Sequence, residues 1–562
     1  MQNISDFSGK NAIIAGFRPN VPLNGSCHIP VMNGNYQKTN GIIAGRVSLI
    51  DSTIAFAKET VIEAKDDLNI AITTNRSLFM KNVFIFGASK ITKFNNNNKA
   101  GDEKNKDIIS TKWTHVKLFA HGENSSKYPQ HPEWILRSPT YINGKRFKTA
   151  DDILHQIEYN VSTFPPSNLI TKHVWGKASD FPSPIGENVL NVRLSPYNAV
   201  GDGIEDDTNA IQQAIDDAAN MVRVAPGTLD SSSCQIVLLP RGIYAIRKSL
   251  KIHNGVALIG IAKHLSRIVM YFDDKLADLE RRPLFSDNES TITDTPMLET
   301  AENAEFIVLA FFSITVWNTA PAVSAIQWKS KGGVVRGIHF NRANRCGSYD
   351  GKGCKDPVPI NHSMMTITGK NTSLKYYTFF LEDCCRTETF TPWTTFWKGY
   401  LAGPQQAQYR HLLVTNGAGP VSFYHLNCEH GTGEAICEFS NGSHDINIYG
   451  FKSEGGTVGL WAQDCANFSL FGTGGCGCVA NNTRWPSTFE QDFPTYYRIQ
   501  RCKNVLLANI MDQGSRLTKP QNNPFNEIGC NPDSENKILV EDLNGKKMVT
   551  DIFDRPVVLI SN

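Results

Sequence analysis

No stretch of this 562-residue chain is apolar for long enough to span a bilayer, so membrane insertion is not expected. Charge of one sign is not in excess either: 56 Lys and Arg stand against 54 Asp and Glu. Bulk electrostatics therefore give no reason to expect a nucleic-acid partner. Cysteine is scarce early, with only Cys27 and Cys234 of the thirteen lying before residue 340. The opening Met1-Gln-Asn-Ile-Ser-Asp-Phe has no basic segment followed by an apolar one, so no signal peptide is visible. Cys476-Gly-Cys478 lacks a second Cys or His pair at finger-like spacing, and no metal site is expected. Gly472-Thr-Gly-Gly475 has no strand-to-helix context for phosphate, and no cofactor is expected.

What is present is turn-rich and β-like: 43 Gly, abundant Asn and 41% hydrophobic residues. The organising stretch is Ser195 to Ala219. Gly201-Asp-Gly203 runs into Asp206, Asp207 and Thr208, each able to cap a helix start. Apolar residues then recur at Ala210, Ile211, Ala214, Ile215, Ala218 and Ala219, a one-sided helix over 207–222. Short apolar runs follow at Ile236–Leu239, Gly242–Ile246, Leu250–Ile252 and Val256–Ile259, with no helix between them. A short helix ahead of closely spaced strands reads as a plug over the open end of a stacked β-coil, whose strand edges need covering.

Tyr197-Asn-Ala-Val-Gly-Asp-Gly-Ile-Glu-Asp-Asp-Thr208 resembles the start motif of the pectate-lyase superfamily, and Leu239-Pro-Arg-Gly-Ile-Tyr-Ala-Ile246 is similar to its second-coil signature. The resemblance implies an all-β, right-handed parallel β-helix. It leaves the chemistry open, since lyases, glycosidases, spikes and structural proteins share that fold.

The first 160 residues continue the theme. Ile42–Ile50 and Ser52–Phe56 read as strand–turn–strand, followed by Val61–Ala64, Ile70–Ile72, Leu78–Met80 and Val83–Phe86, while Ile153–Val161 reads as a short helix. No cap motif precedes them, so the expectation is a chain that enters a coil already under way. Phe164-Pro-Pro166 and Phe181-Pro-Ser-Pro184 bracket a linker, because proline removes ladder donors. The expected organisation is an incomplete β-helical unit at 1–162, a Pro-rich linker at 163–194 and a second β-helix at 195–562.

One pair of segments carries chemistry. Phe423, Ile446 and Phe468 lie 23 and 22 residues apart (446−423, 468−446), about one coil of a solenoid. Glu429 and Glu454 are 25 apart, so their carboxylates fall one coil from each other, roughly 4.8 Å along the stack. Two carboxylates that close repel, and one should hold a proton near neutral pH. An acid–base glycosidase needs that arrangement. The competing reading is a pair of solvated turn glutamates. Glu434 and Glu438 alternate with Ala435 and Cys437 and read as a solvated flank.

Glu429-His430 followed one coil later by Lys452-Ser-Glu454 resembles the exo-β-1,3-glucanase (laminarinase) family, as do Ala325-Ile-Gln-Trp-Lys329 and Phe380-Leu-Glu-Asp383. The resemblance implies Glu454 as general acid, Glu429 as a helper in water activation or sugar binding, inversion at the anomeric carbon, and two tandem β-helices. The chain departs from that family at Lys329, at Thr391-Pro-Trp-Thr-Thr-Phe-Trp397, and in having Cys428 before Glu429. Trp393 and Trp397, in a Thr/Pro-rich loop, offer sugar-stacking faces, whereas Trp461 reads as partial core. His430 is placed to orient Glu429, and Lys452 to act as a base or charge-neutraliser.

The later cysteines admit two readings, loop staples such as Cys346 with Cys354 or buried thiols stacked in the core. Staples, and sequons at Asn75, Asn160, Asn371, Asn441 and Asn467, would suit a secreted or extracellular location. Three functions follow: a glycosidase acting on a polysaccharide, a non-catalytic matrix, coat or adhesion protein, and a polysaccharide lyase.

Overall fold

The computed structural model describes residues 4–7, 11–15, 46–56, 70–74, 77–94, 112–122, 126–128, 131–147, 154–162, 164–169, 171–174, 183–186, 188–225, 227–271, 295–317, 323–343, 362–384, 409–429, 435–455, 458–477, 495–510, 538–551 and 554–562. From residue 235 onward the chain winds as a stack of three-legged parallel coils. The first leg takes the strands Gln235–Leu239, Val256–Gly260, Ile307–Ala310 and Gly333–Arg336, each pairing in parallel with the next. The second takes Gly242–Ile246, Ser266–Met270, Ser313–Trp317 and His339–Ala343. The third leg is a sheet running in parallel from Leu250–Ile252 to Ile538–Glu541. The four strands read from periodicity after the cap are where the sequence put them, to within a residue.

First and second legs meet at a single left-handed residue. Phe311, Gly337, Thr378, His425, Gly450 and Gly472 take φ between 59° and 82° in successive coils. One such residue turns the backbone sharply without breaking the ladder, so later coils run both legs as one bent strand: Leu374–Cys384, Val421–Glu429, His444–Gly455 and Ala466–Gly477. A second corner is built from stacked Asn and Asp. Asp445, Asn467 and Asn504 have φ of 52°, 55° and 54°. The Asn467 amide donates to Asp445 Oδ1 at 2.8 Å, and the Asn504 amide donates to Asn467 Oδ1 at 2.9 Å. Asn and Asp tolerate this conformation because their short side chains bond locally.

Inward positions form one long core. Trp328, Tyr244, Tyr376, Phe312, Phe340 and Phe423 are fully buried in it, and the Trp328 indole donates to Ser373 O at 3.1 Å. The plug is the helix Thr208–Met221, which buries Thr208, Ile211, Ala214, Ile215 and Ala218 against the first coil. Its entry is fixed by two aspartates. Asp207 accepts from the backbone N–H of Val200 at 2.6 Å and Gly201 at 3.0 Å, while Asp206 accepts from the Thr208 N–H at 3.0 Å and from its hydroxyl. Gly201, at φ 65°, packs where a Cβ would meet the Tyr244 ring at 3.0 Å, which explains the glycine in the motif.

In the N-terminal region, Ile4–Phe7, Val47–Phe56 and Leu78–Phe86 pair in parallel, as do Asn11–Ala15, Ile70–Thr74 and Lys90–Phe94. The expected turn between Ile50 and Ser52 is one left-handed residue, Asp51, inside a continuous strand. The segment read as a helix at Ile153–Val161 contains instead the strand Gln156–Val161, antiparallel to Trp113–His121. Its alternating polar and apolar residues satisfy a strand's period of two better than a helical turn. This region packs on the stack through Ile50, Phe79 and Ala120 against Phe471, Ala508 and Val558. Thr140–Ile142, which the sequence placed in the N-terminal unit, pairs in parallel with the last strand, Val558–Ser561.

Candidate functional site

The 25-residue spacing is one coil: Glu429 and Glu454 are Cα partners in adjacent parallel strands. Both lie inside strands rather than in the turns after them. The register differs from the sequence estimate by two residues elsewhere, since Phe423 pairs with Ile448 and Ile446 with Val421. Glu382, in Leu374–Cys384, is the Cα partner of Glu429, so three glutamates occupy one line of positions across three coils. They alternate with Leu381, Cys428 and Ser453, all buried in the core side of the strands. Glu382 was missed as a site residue. Its signal is present in Phe380-Leu-Glu-Asp383, but the 47 residues from Glu382 to Glu429 hide a single coil enlarged by a long insertion.

Lys452 is the Cα partner of Asn427 and lies two residues before Glu454, half-buried. At the corner of the preceding coil, partial burial of the ring lowers the His425 pKa and the charge of Lys452 lowers it further. Trp393, Trp397 and His430 lie outside the described residues, as do Cys346 and Cys354.

The outward face of the third leg is a second polar surface, and here the sequence reading needs correction. Glu438 is no solvated flank: it is 5% exposed, and Arg410 Nε sits 2.5 Å from its carboxylate. The strand Ala435–Phe439 is buried at every position, so alternation alone misjudged it. A buried carboxylate needs a countercharge, and that countercharge sits one coil back, where no local pattern reveals it. Trp461 follows in the same row, with Glu438 and Arg498 as its Cα partners on either side. Its indole donates to Gln500 Oε1 at 2.6 Å, and Gln500 donates to Glu541 at 2.8 Å. Trp461 is half-buried on the outside of its strand rather than in the core. Lys329, one of the departures from the laminarinase pattern, pairs with Glu299 at 2.7 Å on this same leg.

Among the described residues, Cys234, Cys428, Cys437, Cys465 and Cys502 are buried free thiols. Cys428 and Cys437 bring their sulfurs to 3.3 Å across the core. Among the described residues no cluster of His, Cys, Asp and Glu has the geometry to hold a metal ion, and no helix is long and apolar enough to cross a membrane.

Residues 189–349 match the family described as rhamnogalacturonase A/epimerase, pectate lyase-like. The match supports the pectate-lyase superfamily for the capped first coils, and it ends before Glu382. A curated relative, the "Non-secreted LysM effector LysM19" of Penicillium expansum, is 34% identical over 77 residues. That is 14% of this chain, and the chain spans only 5% of that protein's length. Among solved structures, ORF18 of Geobacillus virus E2 is similar at a TM-score of 0.29 and 11% identity, over 57% of this chain and 61% of that one. PfbA, a surface adhesin of Streptococcus pneumoniae, gives 0.29 and 11% over 58% of this chain and 89% of that one. The A-module of the mannuronan C-5 epimerase AlgE4 of Azotobacter vinelandii gives 0.28 and 13% over 58% and 79%.

Proposed function

We propose that this protein acts on a polysaccharide laid against its β-coil, with Glu454 as general acid and Glu429 as the second carboxylate of a hydrolytic pair. The observation that carries the reading is the Cα pairing of Glu429 with Glu454. Carboxyl groups on neighbouring strands start about 4.8 Å apart at the backbone. Carboxylates brought together from such a pairing would repel, and one that kept its proton could give it to a leaving oxygen. The pectate lyase-like match over the first coils adds support for a polysaccharide as partner. A β-1,3-glucan is the specific substrate that the laminarinase resemblance suggests, with Trp393, Trp397, His430 and Lys452 as contacts. An extracellular setting belongs to the same proposal.

Stereochemistry is open to direct measurement. Inverting pairs leave about 6.5–9.5 Å for a water, and retaining pairs stand about 5 Å apart. The family resemblance implies inversion. NMR of the first-formed anomer separates the two.

A second reading, binding without cleavage, is favoured by the third leg. There Arg410 pairs with Glu438 beside a half-buried indole that donates to Gln500. Reducing-sugar release from laminarin and a panel of acidic polysaccharides tests the choice. Hydrolysis requires that wild type releases sugar and that Glu454→Gln loses activity by about 100-fold or more. Binding with no release by either protein would leave the non-catalytic reading standing alone.

A further inference from the structure

On the second leg, Arg267, Ser313 and His339 stand in one row, each the Cα partner of the next. They alternate with Ile268, Ile314 and Phe340, which are core residues, so the row lies on the outward side. Two positions further along the middle strand is Thr315, on the same side. Ser313 is 1% exposed and Thr315 3%, yet neither hydroxyl has a hydrogen-bond partner among the described residues. Buried hydroxyls are seldom left so, and two adjacent ones point to a missing acceptor or donor. The groups that act on His339 in this row are basic. Burial pulls the His339 pKa down to about 4, and Lys263, His264 and Arg267 push it the same way. His264 sets its ring edge-on to His339, with centroids 5.8 Å apart.

We propose that this row is an oxyanion subsite: Arg267 and the rim cation Lys263 attract a carboxylate or sulfate group of an anionic sugar, to which Ser313 and Thr315 donate. Guanidinium and hydroxyl donors converging on one anion make charge-assisted bonds roughly twice as strong as neutral ones. The inference rests on the polysaccharide reading above and narrows its substrate to an acidic polysaccharide. Placement agrees with that, since Thr315 continues through Asn341, Glu382 and Glu429 as successive Cα partners. The subsite thus lies three strand spacings, roughly 14 Å, from the glutamate pair along the coil axis. A glycan lying along that line would reach both.

Calorimetric titration tests it with four probes: inorganic sulfate, trigalacturonate, a sulfated galactan trisaccharide and neutral laminaritriose. The subsite predicts that an acidic trisaccharide binds about tenfold tighter than laminaritriose. Arg267→Gln combined with Ser313→Ala should abolish that advantage and leave laminaritriose unchanged, while Arg267→Lys keeps part of it. Which acidic sugar binds identifies carboxylate or sulfate as the natural group. Sulfate binding that depends on Arg267, with no oligosaccharide bound, would uphold the subsite and sink the polysaccharide reading. Equal affinity of wild type and the double variant for the acidic sugars, or no binding of sulfate and acidic sugars by a wild type that melts normally, would overturn the subsite.

Discussion

At the residue scale, the most exacting environments belong to charges that the fold buries. Asp51 sits within a strand of the N-terminal sheet, where His173 Nε2 approaches it at 2.9 Å, Lys172 at 2.6 Å, and the Asn82 amide donates to it. Burial raises its pKa, but the bonds from His173, Lys172 and Asn82 outweigh that and hold it at about 2. A depressed carboxylate contributes stability above its unfolded pKa near 4 and loses it as pH falls towards 2. Asp51→Asn should therefore cost on the order of 2 kcal/mol at pH 7 and flatten the fall in melting temperature between about pH 4 and 2. Circular-dichroism melts across that range check it; a variant whose acid limb matches wild type would show that the cluster holds no net stability. The Arg410–Glu438 pair makes a sharper case. Glu438→Ala removes the carboxylate that faces a buried guanidinium and should cost about 3–5 kcal/mol, whereas Arg410→Met with Glu438→Leu should recover most of it. Urea titration of the three proteins reads the difference directly. Neither environment was legible in the sequence: Asp51 is one residue in a run of short strands, and Glu438 sits in a pattern that alternation assigns to solvent.

At the scale of elements, legibility followed periodicity. The helix at 208–221 and the four strands behind it were readable because one apolar face, or a short bounded apolar run, admits few alternatives. Corners were less readable. A one-residue left-handed turn leaves no Pro or Gly signature when Asp51, Thr378 or His425 fills it, and the strand at Gln156–Val161 was taken for a helix because its partner lies far away in sequence. The Asn ladder suggests its own experiment. Asn467→Ala loses both amide bonds and the left-handed tolerance and should cost about 1–2 kcal/mol; Asn467→Gly restores the backbone freedom and should cost less. Denaturant melts rank the three. The same geometry argues against a glycan at this sequon, because the Asn467 amide already donates to Asp445. Peptide mass mapping after secretion from a glycosylating host should find that residue unmodified.

For the whole molecule, closure at both ends matters because a parallel coil otherwise ends in bare strand edges. One end carries the helix. At the other, Asp554 is fully buried and takes Arg137 at 2.8 Å, Arg146 at 2.7 Å and the Tyr141 hydroxyl at 2.6 Å. Residues 137–146 thereby clasp the final coil, a contact between stretches more than 400 residues apart that no local reading supplies. The glutamate line was partly legible for the opposite reason, since coil length is a property of sequence. Glu429 and Glu454 could be placed one circuit apart, while Glu382 was lost behind an insertion.

If Glu429 and Glu454 act as one unit on a sugar chain, a double-mutant cycle on kcat/KM with Glu429→Gln, Glu454→Gln and both together will show it, using the polysaccharide that wild type cleaves fastest. The double variant should be about as impaired as the worse single one, because groups that work together do not lose activity multiplicatively. Losses that simply multiply, or a Glu454→Gln variant as active as wild type, would contradict it.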